Sequence, residues 1–257
     1  MPTRDGYPEG VPSWTDLVTP DVEGAKSFYA DLFGWEYTEG DSDSMPYTMA
    51  QRNGLPAAGI GEVPDGSAMP TVWSTYFAVD DVDATVAKIT DAGGSIMMGP
   101  MEVEEAGRMA FATDPTGAIF GIWQAGNHFG AAIVNEHGAL NWNELLSGDL
   151  DTALPFYAAV FGHTFETSPG LIGPYTAVSA GDRVVAGAMH KGIVEIPDSW
   201  SVYFAVDDAT KAQETTTSRG GSIVYGPMDI PNVGIITGLV DPFGAHFTVI
   251  QLAQPVD

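Results

Sequence analysis

From Val11 to Thr19 the side chains alternate as a strand does, placing Trp14, Asp16 and Val18 on one face and Thr15 and Leu17 on the other. The period then changes. Between Val22 and Phe33 the large apolar residues Ala25, Phe28, Tyr29 and Leu32 fall on one helical stripe. Asp21 stands where an N-cap is expected, and Gly34 where a helix ends in the left-handed conformation that glycine tolerates best. Alternation resumes over Tyr47–Arg52 and Ala57–Glu62, with Asn53-Gly54 between them as a hairpin turn. The pattern predicts another strand at Ser74–Val79, a helix at Asp83–Ala92 closed by Gly93-Gly94, and strands at Ser95–Met98, Arg108–Thr113 and Ile119–Gln124.

This succession then repeats, offset by about 128 residues. Trp14, Phe28-Tyr29 and Phe33-Gly34 return as Trp142, Phe156-Tyr157 and Phe161-Gly162. Trp73-Ser74-Thr75-Tyr76-Phe77-Ala78-Val79-Asp80-Asp81 returns as Trp200-Ser201-Val202-Tyr203-Phe204-Ala205-Val206-Asp207-Asp208, and Asp114-Pro115-Thr116-Gly117-Ala118 as Asp241-Pro242-Phe243-Gly244-Ala245. The second copy therefore reads as a strand at Leu140–Leu146, a helix around Thr152–Phe161, strands at Tyr175–Ala180, Val184–His190 and Ser201–Val206, a helix at Thr210–Ser218, and three more strands. Pro155 fits that first helix only if it starts near Asp151, which places the proline about in the first turn. Each copy contains two successive β-α-β-β-β motifs. The expected organisation is a loose arm at 1–10, a first double module at 11–126, a linker at 127–138 and a second double module at 139–257.

Composition narrows the class. The chain has 257 residues, 44% of them hydrophobic, enough for two domains each with a modest core. No stretch approaches the roughly 20 apolar residues of a membrane span, and the start lacks a signal peptide's apolar core. There is no cysteine, hence no disulfide, thiolate ligand or thiol nucleophile, and a cytoplasmic location is the simplest expectation. The 34 acidic residues against 9 basic ones give a net charge of −25, which repels nucleic acid and anionic membranes and attracts cationic small molecules.

The order of these motifs, with Asp…Phe-Tyr…Phe-Gly after the first strand and Asp-Pro-x-Gly before the last, resembles the vicinal oxygen chelate superfamily of glyoxalase I, extradiol dioxygenases and bleomycin-resistance proteins. The resemblance covers residues 11–125 and 139–252. It implies an α+β fold of tandem paired βαβββ modules, with curved mixed sheets around clefts, and a divalent metal held by His and Glu or Gln at four strand positions. Carried onto this chain, three of those positions fall on Trp14, Ser74 and Gly121 in the first copy and on Trp142, Ser201 and Thr248 in the second. The fourth falls near Ile60–Gly61 and Met189, with Glu62 and His190 close by. Tryptophan and glycine offer no ligand atom, and Ser and Thr are weak ligands for the usual metals. The expectation is therefore no metal and no cofactor.

The candidate site residues follow from alternation. If Trp14 and Trp142 point into clefts, so do Asp16 and Glu144 two residues on; the alternative is that the rings are core and the acids face water. A ring beside a carboxylate suits a planar, hydroxylated or cationic aromatic ligand. Ser74, Ser201, Trp123 and Thr248 are expected to share the cleft walls, while Trp73 and Trp200 face the other way and pack on helices. His246 and His190 are the candidate general bases or acids; each is alone in its copy, and His128, His137 and His163 receive no role. With Glu144, His190 and His246 in copy two against Asp16 and Glu62 in copy one, the clefts should not be equivalent.

Three functions are compatible with this pattern. One is a metal-free module that sequesters or presents a small aromatic molecule such as an antibiotic. Another is a lyase, isomerase or oxygenase accessory working through Asp16, Glu144, His190 or His246. The third is a fold that serves only a surface interaction. A monomer with two pseudo-symmetric modules and a homodimer remain open.

Overall fold

The computed structural model describes residues 3–39, 47–64, 69–192 and 196–254. The outermost residues of the expected arm (1–2) and of the second module (255–257) lie outside them. The first copy runs β1 (Pro12–Thr19), α1 (Val22–Phe33), β2 (Glu36–Glu39), β3 (Tyr47–Arg52), β4 (Leu55–Glu62), β5 (Val72–Ala78), α2 (Val82–Asp91), β6 (Ser95–Val103), β7 (Gly107–Thr113) and β8 (Ile119–Ala125). The second runs β9 (Leu140–Ser147), α3 (Leu150–Phe161), β10 (Thr164–Pro169), β11 (Pro174–Ala180), β12 (Arg183–His190), β13 (Ser199–Ala205), α4 (Ala209–Ser218), β14 (Ser222–Ile230), β15 (Gly234–Val240) and β16 (His246–Leu252). Each copy builds one mixed eight-stranded sheet, in the orders β2-β3-β4-β1-β5-β8-β7-β6 and β10-β11-β12-β9-β13-β16-β15-β14. The leading strands of the two motifs, β1 with β5 and β9 with β13, pair antiparallel at the centre of each sheet.

Local chemistry sets the element ends. Asp21, Asp81, Asp149 and Asp208 each cap a helix by accepting a backbone N–H three residues on. Gly34 and Gly162 close α1 and α3 with φ of 67° and 71°. Two elements escaped the sequence pattern: β2 and β10. Both are edge strands, and β10 is exposed along nearly its whole length, so neither carries the apolar alternation that burial imposes. Pro155 also differs from expectation. Helix α3 starts at Leu150, so the proline lies in its second turn, on the exposed side.

The expected pair of separate cores is not what forms. The helix-bearing faces of the two sheets are opposed, and each core contains side chains from both copies. Phe33 of α1 packs on Phe204 of β13 at 4.9 Å between ring centroids, and Tyr29 on Phe247 at 5.7 Å. Reciprocally, Phe77 of β5 packs on Phe161 at 4.9 Å and on Trp200 at 5.0 Å. Polar links cross in pairs too. Trp73 Nε1 donates to Tyr29 Oη at 2.9 Å, and Tyr29 donates to Asp241 Oδ2 of the other copy at 3.0 Å. Trp200 Nε1 donates to Tyr157 Oη at 2.8 Å, and Tyr157 donates to Asp114 Oδ2 at 3.0 Å. Each aspartate spends its other oxygen on the backbone N–H groups of its own Asp-Pro-x-Gly turn.

The arm and linker are tied down as well. Arg4 N–H donates to Ala132 O, and Tyr7 Oη donates to Ala131 O at 2.7 Å. His163 Nε2 is 2.7 Å from Gly10 O. The first residues are therefore not a loose arm: from Thr3 onward they are bonded to the linker, which is itself bonded to Ser13 and Pro56 of copy one and Ala205 of copy two. Because the buried faces of α1 and α2 are completed only by the second copy, residues 1–138 expressed alone should yield unfolded chain, aggregate or a dimer. Size-exclusion chromatography and urea unfolding check this; a monomer with a cooperative transition near that of the full chain would contradict it.

Candidate functional site

The sheet faces turned away from the helices carry the candidate residues, and register decides which. In copy one Trp14 opposes Tyr76, Asp16 opposes Ser74 and Gly59, and Tyr76 opposes Gly121. Residues opposed across a ladder share a face, so Trp14, Asp16, Ser74, Tyr76, Gly121 and Trp123 form one surface. In copy two Trp142 opposes Tyr203, Glu144 opposes Ser201 and Gly187, and Tyr203 opposes Thr248.

At the centre of each surface a buried carboxylate is held by tyrosines. Asp16 Oδ2 accepts from Tyr76 at 2.8 Å and from Tyr47 at 3.4 Å, and Tyr47 Oη in turn accepts from Trp14 Nε1 at 2.9 Å. Glu144 Oε1 accepts from Tyr203 at 2.9 Å, while Tyr175 Oη accepts from Trp142 Nε1 at 3.0 Å. Burial pushes the Asp16 carboxyl up to about 6, against the pull of the Tyr76, Tyr47 and Ser74 hydroxyls. Burial raises Glu144 in the same way, opposed by Tyr203 and Tyr175. Asp16 Oδ1 is buried and makes no hydrogen bond of ordinary geometry, although the Ser74 hydroxyl opposite Asp16 helps to hold the carboxyl down.

The residues present do not fit the metal that this fold family holds. A side chain at Gly121 would collide with the Tyr76 ring, and one at Gly187 with the Tyr175 hydroxyl. Trp14 and Trp142 spend their only polar atom on tyrosines, and Thr248 Oγ1 is engaged with Tyr225 Oη at 2.9 Å. Gly61 and Met189, which complete the cleft-facing set through the β1–β4 and β9–β12 ladders, offer no ligand atom of the required kind. Tyrosines occupy the space that metal-binding side chains would need.

Several sequence expectations shift. His190 pairs with Ser147, on the helix-side face, and its Nδ1 accepts the Gly192 N–H; it does not reach the second cleft face. Glu62 pairs with Thr19 and is likewise turned away. His246 opposes Val240 at the exposed start of β16, so it sits at the rim rather than beside Glu144. Trp14 is only 3% exposed and packs with Tyr76, Trp123, Ala131 and Val134 in a small core, whereas Trp142 is half-buried. The linker roofs the first face. With it comes His128, whose ring meets Trp14 edge-on at 4.5 Å and Trp123 at 5.8 Å. Copy one thus has a histidine on its cleft face after all.

Sequence reasoning missed His128 and the clasp tyrosines. Tyr76 and Tyr203 were legible, since each lies two residues after a cleft-facing serine. Tyr47 and Tyr175 follow no such serine and are placed on the face only by their pairing with Gly61 and Met189. His128 carried none, because an irregular linker has no period that gives its side chains a direction.

This fold, with its doubled motif and its four ligand positions, defines the class. The chain belongs to the Glyoxalase/Bleomycin resistance protein/Dioxygenase superfamily, whose family model matches residues 12–122 and again 139–249. Among its relatives is "Putative glyoxylase CFP32" of Mycobacterium tuberculosis, 46% identical over 261 residues that cover 98% of this chain and 99% of that one. The Streptomyces peucetius anthracycline biosynthesis protein DnrV is 35% identical, covering 96% of this chain and 95% of its own. The fold is similar to that of the Mn(II)-bound glyoxalase from Novosphingobium aromaticivorans, with a TM-score of 0.66 at 17% identity over 97% of this chain and 85% of the other.

The Asp16 carboxyl sits at about 6 in the folded protein and at an ordinary 3.8 when exposed, so the folded state binds the extra proton between those values. Stability should therefore rise as pH falls through this window. Wild type should gain about 2 kcal/mol relative to Asp16→Asn between pH 7 and pH 4, read by urea unfolding at each pH. A difference independent of pH would show that Asp16 titrates normally.

Proposed function

We propose that this protein binds a small, planar aromatic molecule, hydroxylated or cationic, without a metal, and sequesters or presents it. One observation carries the reading. At the positions that hold metal elsewhere in the superfamily, copy one carries Trp14, Ser74, Gly121 and Gly61 and copy two Trp142, Ser201, Thr248 and Met189, with no His or Glu among them, and tyrosines surround the neighbouring carboxylate. Rings supply flat contact area at low entropic cost, and the carboxylate accepts a hydrogen bond that orients the ligand. The names of relatives in anthracycline biosynthesis support a polycyclic aromatic ligand. The second cleft face is the open one, with half-buried Trp142, Tyr175 and Ser201 beside Glu144.

A second reading draws on the same carboxylates. A carboxyl near 6 is poised to take a proton at neutral pH, and relatives carry a glyoxylase name. Metal-independent proton transfer through Asp16 is the form of enzyme activity that this site supports. A glyoxalase assay in which activity survives chelation and is lost in Asp16→Asn would favour it.

For the binding reading, Trp142→Ala should weaken 1,8-dihydroxyanthraquinone at least tenfold in a fluorescence titration while changing stability by less than about 1 kcal/mol, because the ring is half-exposed. Trp73→Ala should do the reverse, losing about 3–5 kcal/mol with little effect on binding, since it truncates a core ring and removes the donor to the Tyr29 hydroxyl. Normal binding by Trp142→Ala would remove the main support for the site.

Elemental analysis of the purified protein should find well under one transition metal ion per chain. A stoichiometric ion released only by strong chelation would overturn the metal-free reading.

A further inference from the structure

The two clefts differ by one feature that no repeat could supply. Among the described residues the linker packs on the first face, where two polar atoms are buried without partners: Asp16 Oδ1 and His128 Nε2. Asp16 is 7% exposed, and its other oxygen is fully engaged by Tyr76 and Tyr47. His128 is fixed in place by its backbone, since its N–H donates to Ala106 O and its carbonyl accepts from Trp123 Nε1 at 2.8 Å. A buried polar atom without a partner is unfavourable, and native structures seldom keep one that nothing satisfies. On the second face Glu144 Oε1 accepts from Tyr203, and neither Glu144 oxygen is both fully buried and unpartnered.

We propose that the first cleft is a distinct recognition site for a small planar cation bearing N–H donors, of the amidinium or guanidinium class. The inference rests on the binding function above and deepens it for this face. The chemistry selects the ligand. A carboxylate oxygen can only accept, so the missing partner is a donor. The imidazole is a neutral acceptor at Nε2 when its proton is on Nδ1, the tautomer that a donor ligand beside Asp16 favours. Burial holds His128 down at about 4, so at neutral pH it carries no charge to repel a cation. The Trp14 and Trp123 rings supply the flat apolar wall and the negative π-face that a planar cation prefers. The net charge of −25 raises the local concentration of cations and disfavours anionic competitors. No lysine or arginine is bonded to Asp16 in place of a ligand.

Benzamidine is a suitable probe, being flat, cationic and rich in N–H, with neutral benzamide as its isostere. Both would be titrated into the full chain by calorimetry at pH 8. The variants are Asp16→Asn, which keeps shape and removes charge, and His128→Phe, which keeps a ring against Trp14 and removes Nε2. Wild type should bind benzamidine at least tenfold more tightly than benzamide. Asp16→Asn should lose that preference, and His128→Phe should weaken benzamidine about fivefold without lowering the melting temperature. Trp142→Ala should leave benzamidine binding unchanged. Equal affinity for the two probes, or benzamidine binding unaffected by both Asp16→Asn and His128→Phe, would overturn the proposal. If benzamidine fails in that way while 1,8-dihydroxyanthraquinone still binds in a Trp142-dependent manner, the first-cleft site falls and the general binding function stands. If neither probe binds, both fall. Should Asp16→Asn fail to fold, the probe preference in wild type and the His128→Phe titration still decide.

Discussion

The reciprocal Trp–Tyr–Asp relay between the copies is the constraint on which the rest of the structure depends. Tyr29 of the first helix reaches Asp241 of the other copy, and Tyr157 reaches Asp114 in return. Each phenol also accepts from an indole of its own sheet, Trp73 or Trp200. Each aspartate holds its own turn through the backbone N–H groups of the Asp-Pro-x-Gly segment. Helix, sheet and turn of both copies are therefore joined in two buried networks, where losing the central Tyr29 or Tyr157 would leave an indole N–H and a carboxylate oxygen without their partner in a low-dielectric interior. Burial raises the Asp241 carboxyl while its hydrogen bonds oppose the shift, as expected for an acid whose bonds stand in for water.

This interlock consumes the helix-bearing faces and leaves the other face of each sheet for chemistry. There size decides what fits: Tyr76 lies where a side chain at Gly121 would stand, and Tyr47 and Tyr175 cover Gly59 and Gly187. Ring and glycine are matched in volume across the ladder, so the space is filled by aromatic side chains. The carboxylate that remains is shielded from water and directed by phenols. That environment suits an oriented hydrogen bond or a proton transfer.

The duplication does not make the two faces alike. The linker between the copies lies against the first face, and it is bonded to the N-terminal segment through Tyr7 and Arg4. It buries Trp14 and brings His128 over it, while Trp142 stays half-open. The expectation of inequivalent clefts rested on Glu144, His190 and His246 against Asp16 and Glu62. Of these, His190 lies behind the second face, His246 at its rim, and Glu62 is turned away from the first, so the structural difference between the faces lies in the linker and His128 instead.

What the sequence by itself determined was everything periodic. Alternation put Trp14 with Asp16 and Trp142 with Glu144 on one face, helical spacing put Phe28, Tyr29, Phe156 and Tyr157 into the core, and Asp and Gly marked the helix ends. The repeat itself made the doubled fold legible, because matched order over a whole unit requires one fold used twice. What only the tertiary structure decided was every relation between segments with no shared period. The edge strands β2 and β10 are strands through pairing rather than apolar pattern. The cores are shared between copies because two helix-bearing faces meet, a fact about docking that neither copy encodes alone. The position of His128 over Trp14 comes from the path of an irregular chain, where side-chain direction is set by long-range hydrogen bonds and not by neighbours in sequence.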